Sequence, residues 1–355
     1  MDGRTSPSPR ATAARWSVPV RAATALGLAL ATLWWVLPKV AGVSWGAISG
    51  MLGTISLRAA LGLAAVWLAG LLAHSFVLTA ALPGLSRRRA LTLSLTGSAV
   101  SNVVPFGGAL GLALNLSMVR AWRFRKSSYA TYVVVTNIWD VLAKLALPVV
   151  AVVFMTGAGV LPTSALRSGA VVGSALVVFV LGLTAGVLCS DQLAHAVVRA
   201  VAHVARRLGR RSESTCARED DLLSARDRVR EVVLTRWGQL TTGMLGYVAL
   251  QGVLLWFCLR AVGLTEPVYA VLAALAADRL LSLIPLTPGG AGFAEVGAAA
   301  TLIACGADPL GVTAGVLLYR AFIFLLEIPV GGVWLGCWLA LRPRNDSRNR
   351  VAVAS

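Results

Sequence analysis

Ser101-Asn102-Val103-Val104-Pro105-Phe106-Gly107-Gly108 interrupts an apolar stretch that runs from 91 to 118, and Ile284-Pro285-Leu286-Thr287-Pro288-Gly289-Gly290-Ala291-Gly292 interrupts another that runs from 267 to 305. These two interruptions decide the fold. Proline removes a backbone donor and kinks a helix, and paired glycines permit a tight turn. Each stretch is therefore expected to be a broken helix that turns back at its centre rather than a span.

Outside them lie long uninterrupted apolar runs at 22–37, 57–82, 127–157, 165–189, 236–260 and 309–341. Each is near or above the roughly 20 residues that cross a bilayer as helix. Only 13% of the residues are charged, against about 25% in a soluble domain, so most of the surface is built for lipid. The expected architecture is all-α. It is a polytopic membrane helix bundle of about six spanning helices plus two re-entrant broken helices forming an inverted repeat.

Charge sets the topology. Arg4, Arg10, Arg15 and Arg21 place the N-terminus in the cytoplasm, because basic residues beside spans stay inside. A first, uncleaved helix over about 16–37 exits, with 1–15 expected to be a disordered basic segment. A short interfacial helix is expected around Trp45, and the helix over 57–82 returns to set Arg87, Arg88 and Arg89 inside. Were 91–118 to span, Arg120, Arg123, Arg125 and Lys126 would face outward, together with the basic segment 191–236. A re-entrant turn keeps all of them inside. The run 127–157 then exits and 165–189 returns. Segment 191–236 is expected to be cytoplasmic surface helices on anionic lipid, and 236–260 exits again. The second broken stretch enters and leaves from outside, and 309–341 returns to put the basic tail 342–355 inside. One transmembrane domain thus covers 16–341, in a bacterial-type plasma membrane with both termini cytoplasmic.

This topology makes the unit 57–157 and the unit 236–341 run in opposite directions, each with a broken helix at its centre. Inverted repeats with broken helices mark transporters, whose substrate sites lie at the repeat interface near mid-membrane.

Ionisable groups within spans are costly, by roughly 2.5–3.5 kcal/mol each, so each is a candidate site residue. Asp140 and Lys144 lie four apart on one helix face, Asp278 and Arg279 just precede the second break, Glu295 is one turn beyond it, and Arg320 and Glu327 follow on the last span. Glu295 with Arg320 is the sharpest pair. For Asp140–Lys144 and Asp278–Arg279, a local ion pair that offsets its own burial is an equally good reading. Asn102 is a polar lining candidate, as are Asn115 and Asn137, and the turn residues Pro105, Gly107, Gly108, Pro288, Gly289, Gly290 and Gly292 complete the candidate substrate-binding set. The second arm of each broken helix starts at its Gly-rich tip, so free N–H groups and the helix dipole favour a phosphate there. A nearby arginine adds a charge-assisted contact. Such a pocket suits the anionic headgroup of a phospholipid or a polyprenyl-phosphate carrier, with Glu295 and Asp140 facing a cationic moiety or relaying protons.

Other chemistries find little support. The net charge of +17 sits in short loops beside spans, without the interleaved aromatics of a nucleic-acid surface. The five cysteines are isolated and form no cluster with the three histidines, so no metal and no cofactor is expected. There is no G-x-S-x-G, no H-E-x-x-H and no nucleotide-binding G-x-x-x-x-G-K-[ST].

The stretches Asn102-Val-Val-Pro-Phe-Gly-Gly-Ala-Leu-Gly111, Pro285-Leu-Thr-Pro-Gly-Gly-Ala-Gly-Phe-Ala-Glu295 and Leu318-Tyr-Arg320 carry a resemblance. The chain resembles the lysylphosphatidylglycerol synthase transmembrane region, or flippase-like, family over about residues 16–341. That domain forms the N-terminal part of the bacterial multiple peptide resistance factor. The second stretch matches the family's pattern of Pro-Gly-Gly, a further Gly, Glu and a later Arg. The first departs from it, because many members carry an acidic residue after the Gly where this chain has Ala-Leu-Gly. The resemblance implies lipid translocation, with Glu295 and Arg320 as the carried-over positions and membrane lipids as partners. It also implies that, without a soluble aminoacyl-transferase domain after residue 341, the chain does not make the aminoacyl lipid itself. A separately encoded lipid-modifying enzyme is then an expected partner. A homo-oligomer is compatible with Gly107-x-x-x-Gly111 and Gly332-x-x-x-Gly336, which permit close helix contact. The expected function is a lipid flippase-like transporter rather than an enzyme. Alternatives are a secondary transporter of a small anionic solute, a membrane-embedded enzyme on a lipid carrier, and a non-transporting accessory protein.

Overall fold

A computed structural model of the chain describes residues 32–103, 107–160, 164–190, 192, 215–283, 287 and 290–341. Every regular element among them is helical. A π-helical turn, Thr32–Val36, leads into α1 (Leu37–Ala41) and α2 (Trp45–Gly53). Ser44 caps α2 by accepting from the Ala47 amide, and the Trp34 and Trp45 rings stack at 4.9 Å. The short helix around Trp45 is thus present, and its paired indoles are suited to a membrane–water boundary. The expected first helix falls mostly on residues 1–31, outside those described.

The long helices follow from apolar length and good caps. α3 (Leu57–Ala81) is capped by Ser56, whose hydroxyl accepts from Ala59. After α4 (Arg87–Val103) and α5 (Gly107–Ala121) comes α6 (Lys126–Gly157), a 32-residue helix that carries Pro148 inside it. α7 (Ser164–Cys189) has 26 residues and α8 (Thr215–Ala261) has 47. α9 (Val268–Leu281) and α10 (Phe293–Ala304) are short. α11 (Pro309–Arg320) has Asp308 as its cap and proline in its first turn, where the missing N–H costs nothing. It continues through a π-helical turn, Ala321–Leu325, into α12 (Glu327–Leu341).

Among the described residues, four stretches are long and apolar enough to cross a membrane: Leu57–Ala81, Lys126–Gly157, Ser224–Ala261 and Pro309–Leu341. Of the two further expected spans, one lies outside the described residues and the other forms α7. Leu61, Leu68, Phe154, Phe179, Leu245 and Val333 point outward, as a lipid-facing surface requires. The chain is therefore an all-α membrane bundle. One expectation is corrected. Surface helices were expected over 191–236; most of 191–214 lies outside the described residues, and from Thr215 the chain is one continuous helix with the following span. Helical hydrogen bonds are local and persist when the side chains turn from charged to apolar, so the charge boundary marks the membrane edge and not the helix end.

The two interrupted stretches form helical hairpins. α4 and α5 pack along each other, as do α9 and α10. The arms have 17, 15, 14 and 12 residues, so each is only about 18–25 Å long, short of the roughly 30 Å hydrocarbon core. At the open end of the first hairpin Arg89 lies over the Trp122 ring at 5.2 Å. At its closed end a Cβ on Gly107 would lie 2.5 Å from the Ser101 carbonyl oxygen, so only glycine admits the crossing there.

Packing between the two units is reciprocal. α3 lies along its counterpart α8, the first arm of hairpin one (α4) packs on α12, and the first arm of hairpin two (α9) packs on α6. Each hairpin thus leans on the closing helix of the other unit, as two repeats related by a two-fold axis would.

Candidate functional site

The second hairpin turns between α9 and α10. Gly290 and Gly292 have φ of +71° and +90°, a region that glycine enters without a Cβ clash. The Thr287 hydroxyl donates to the Ala291 carbonyl at 2.8 Å and closes the turn. The start of α10 is buried, with Ala294 and Glu295 both inside. Glu295, at the third helical position, turns back and accepts the Gly292 amide on Oε2 at 2.7 Å. This is half of a capping box, placing a carboxylate at the positive end of the helix.

The other oxygen of the same carboxylate leaves its own helix. Glu295 Oε1 accepts from Arg320 Nε of α11 at 2.7 Å. Arg320 Nη1 lies 3.7 Å from Oδ1 of Asp278 on α9, and Arg279 Nε lies 3.5 Å from Oδ2. Arg279 Nη2 donates to the Tyr319 hydroxyl at 2.7 Å. Two carboxylates and two guanidinium groups thus form one formally neutral cluster joining α9, α10 and α11. Glu295, Arg320 and Asp278 are all buried, Asp278 to 1% exposure. Mutual pairing makes that burial tolerable. Removing one partner of a buried pair typically costs about 3–5 kcal/mol. Among the described residues the two Asp278 oxygens make ion-pair contacts but no hydrogen bond, and Arg279 Nε likewise has no hydrogen-bond partner.

The segment that follows Arg320 draws in the other hairpin. In the π turn the Leu326 amide bonds five residues back, to Ala321, at 2.7 Å. Such turns occur inside α-helices mostly at functional sites. Asn102, at the inner end of α4, donates a long hydrogen bond of 3.4 Å to the Phe324 carbonyl, and the Arg320 guanidinium stands 5.7 Å from the Phe324 ring centre. Both hairpins therefore reach one turn of a single helix, Glu295 through Arg320 and Asn102 through Phe324. Glu327, just past the turn, is buried and faces Ser98 of α4 and Trp67 of α3. It belongs to the side of hairpin one.

These contacts sort the candidates. Asp278, Arg279, Glu295, Arg320, Gly290 and Gly292 come together, with Asn102 reaching in from the first hairpin. Asp140 and Lys144 do not join them. They pair within α6 at 2.7 Å, with the Asp140 side chain 42% exposed, which is the local ion pair that the spacing allowed. Gly107 is a steric requirement of the first turn, but a Cβ on Gly108 meets open space. Pro105, Pro288 and Gly289 lie outside the described residues. One expectation changes in kind. Free amides at the start of α10 and an available arginine were expected to receive a phosphate. In the structure Glu295 accepts from the Gly292 amide and from Arg320 Nε, because its side chain is long enough to reach both.

Sequence reasoning missed Tyr319 and Phe324. Tyr319 is fully buried between Arg279 and the bundle, and nothing in the spacing distinguishes it from a core aromatic. The π turn leaves no periodic signature.

An apolar cavity of about 520 Å³ lies between α6, α8 and α9, lined by residues such as Leu147, Val150, Val248, Trp256 and Leu275. Leu275 is one turn before Asp278, so α9 carries both the hydrocarbon wall and a buried charge.

Among curated proteins none matches the chain. The family described as the lysylphosphatidylglycerol synthase TM region matches residues 22–331, and the protein belongs to that family.

Proposed function

We propose that this membrane protein is a transporter of the flippase class, moving a lipid with an anionic headgroup between leaflets, with its headgroup site at the cluster of Glu295, Arg320, Asp278 and Arg279. The observation that carries the reading is the convergence of two helical hairpins on the turn that follows Arg320. In a bilayer both hairpins would be re-entrant, and broken backbone at that depth is tolerated only where it is buried or lines a cavity.

The chemistry is an exchange of anions. One carboxylate oxygen of Glu295 takes the Arg320 Nε–H, and the other takes the Gly292 amide at the start of α10. A phosphate presents two oxygens with comparable spacing. It would replace Glu295 on the same two donors, and the helix dipole and the guanidinium both favour it. The displaced Glu295, and Asp278, whose oxygens have no hydrogen-bond donor among the described residues, would then receive an ammonium or hydroxyl of the headgroup. Opening of the Glu295–Arg320 latch is thereby coupled to binding. The apolar cavity along α9 favours a lipid over a small solute, because its walls offer hydrocarbon contacts.

The test is a flip assay in proteoliposomes with fluorescent phosphatidylglycerol, comparing wild type with Glu295→Gln and Arg320→Lys. Wild-type movement, lost in variants that remain folded, supports the reading. Movement that is unchanged in both variants removes the site from this cluster. Uptake of a soluble organic phosphate without lipid movement would favour the small-anion alternative.

A further inference from the structure

A second polar cavity, of about 630 Å³, lies at the basic end of the bundle, far along the chain from the charge cluster. Its floor is one face of α8, where Arg228, Glu231, Arg236 and Gln239 recur at helical spacing, and Ser128 and Thr131 of α6 face them. The 81–83 turn after α3 and Val232 form an apolar wall. The volume falls within the roughly 300–1,000 Å³ of ligand pockets.

Three features distinguish it from a solvated charged face. Arg228 Nε is buried and has no hydrogen-bond partner among the described residues, and a buried N–H without an acceptor is costly. Neither Arg228 nor Arg236 forms an ion pair with Glu231 among the described residues, although Glu231 shares their cavity. Further positive charge stands nearby: Arg87–Arg89 follow the 81–83 turn, and Arg125 and Lys126 precede Ser128. The cavity is therefore short of an anion. Basic pockets between spanning helices at the membrane surface take anionic headgroups.

We propose that this cavity binds the phosphate-bearing headgroup of a membrane lipid in the leaflet at the basic end of the bundle, with Arg228 and Arg236 as its cationic contacts. Ser128, Thr131 and Gln239 supply neutral hydrogen bonds, and the apolar wall takes the start of the acyl chains. Glu231 weakens an anion that lacks an ammonium group and would pair with one that has it. The site is separate from the charge cluster, and neither assignment depends on the other.

The test uses the full chain, delipidated in detergent and titrated with dioctanoyl phosphatidylglycerol, dioctanoyl phosphatidylcholine and sn-glycerol 3-phosphate. Phosphatidylglycerol should bind saturably at this cavity, in addition to any binding at the Glu295–Arg320 cluster. The double variant Arg228→Gln/Arg236→Gln should bind it roughly 10- to 30-fold more weakly, given about a tenfold factor or less for each basic residue at a membrane surface. Arg228→Lys/Arg236→Lys should lose less, and Glu231→Gln should bind more tightly. Phosphatidylglycerol binding that the double Gln variant leaves unchanged, or phosphatidylcholine binding that it leaves unchanged, overturns the proposal. Glycerol phosphate binding as tight as the lipid's overturns the lipid source in favour of a soluble phosphate. Should the double Gln variant not fold, Glu231→Gln decides alone: tighter binding supports the site, and unchanged or weaker binding overturns it.

Discussion

Glu295 and Arg320 are 25 residues apart in the chain and 2.7 Å apart in space, Oε1 to Nε. The same carboxylate holds the Gly292 amide through its second oxygen at 2.7 Å. One side chain thus caps a helix, closes a hairpin turn and clamps that hairpin to a neighbouring helix. Length is what makes this work, because aspartate at 295 could reach one donor but not both.

Glu295→Ala is accordingly expected to be costly. It removes the closest ion pair of Arg320 and leaves the Gly292 amide without its acceptor. The loss should be about 3–5 kcal/mol, read as a lower thermal midpoint for the purified protein in detergent. Glu295→Gln keeps an acceptor for the amide and should lose less, roughly 1–3 kcal/mol. Equal stability of the two variants would mean that the charge, and not the cap, carries the contribution of Glu295.

Arg320→Lys separates charge from shape. Arg320 addresses Glu295 through Nε and Asp278 through Nη1, at 2.7 Å and 3.7 Å. A lysine ammonium is a point charge on a flexible stem and cannot reproduce that fork. Stability should fall by about 1–3 kcal/mol, while lipid flipping should fall more than tenfold if the guanidinium receives the headgroup. Retention of flipping with lysine would show that positive charge alone suffices.

Orientation follows from the two ends of the bundle. Arg87–Arg89, Arg120–Lys126 and Arg226–Arg236 share one end, whereas Arg260 and Glu266 mark the other. By the positive-inside rule we propose that the basic end is cytoplasmic. In a cysteine-free background, Arg123→Cys should react with an impermeant maleimide only after the membrane is opened. Glu266→Cys should react in intact cells. The reverse pattern would invert the topology.

Much of this architecture was legible from punctuation. Pro105 and Gly107, and the Pro285–Gly292 run, broke two apolar stretches where a backbone turn was needed, and both are hairpins. Charge within spans flagged Asp278, Arg279, Glu295 and Arg320, which do meet. What escaped were the facts that need tertiary contact. Gly292-x-x-Glu295 has capping-box spacing, yet glycine at the cap gave no side-chain signal of reciprocity. The bridge from Asp278 to Arg320 joins α9 to α11 across the hairpin, and no spacing rule connects them. The π turn after Arg320 changes the helix pitch for only five residues, too few to shift an apolar period.

Gly331 and Gly332 offer a test of the reciprocal packing away from any charge. A Cβ on Gly331 would collide with the Leu95 carbonyl of α4 and lie 2.7 Å from the Ala99 Cβ, whereas a Cβ on Gly332 meets nothing within 4 Å. Overpacking a close helix contact costs about 1–3 kcal/mol, and an open-facing change stays within about 0.5 kcal/mol. Gly331→Ala should therefore lower the thermal midpoint, and Gly332→Ala should not. The first substitution also pushes α12 from α4, which carries Asn102 at its inner end. If the two hairpins work through one turn of the last span, Gly331→Ala should impair flipping even when assayed well below its midpoint, with Glu295 and Arg320 intact. Normal flipping by a destabilised Gly331→Ala would confine the working site to the second hairpin.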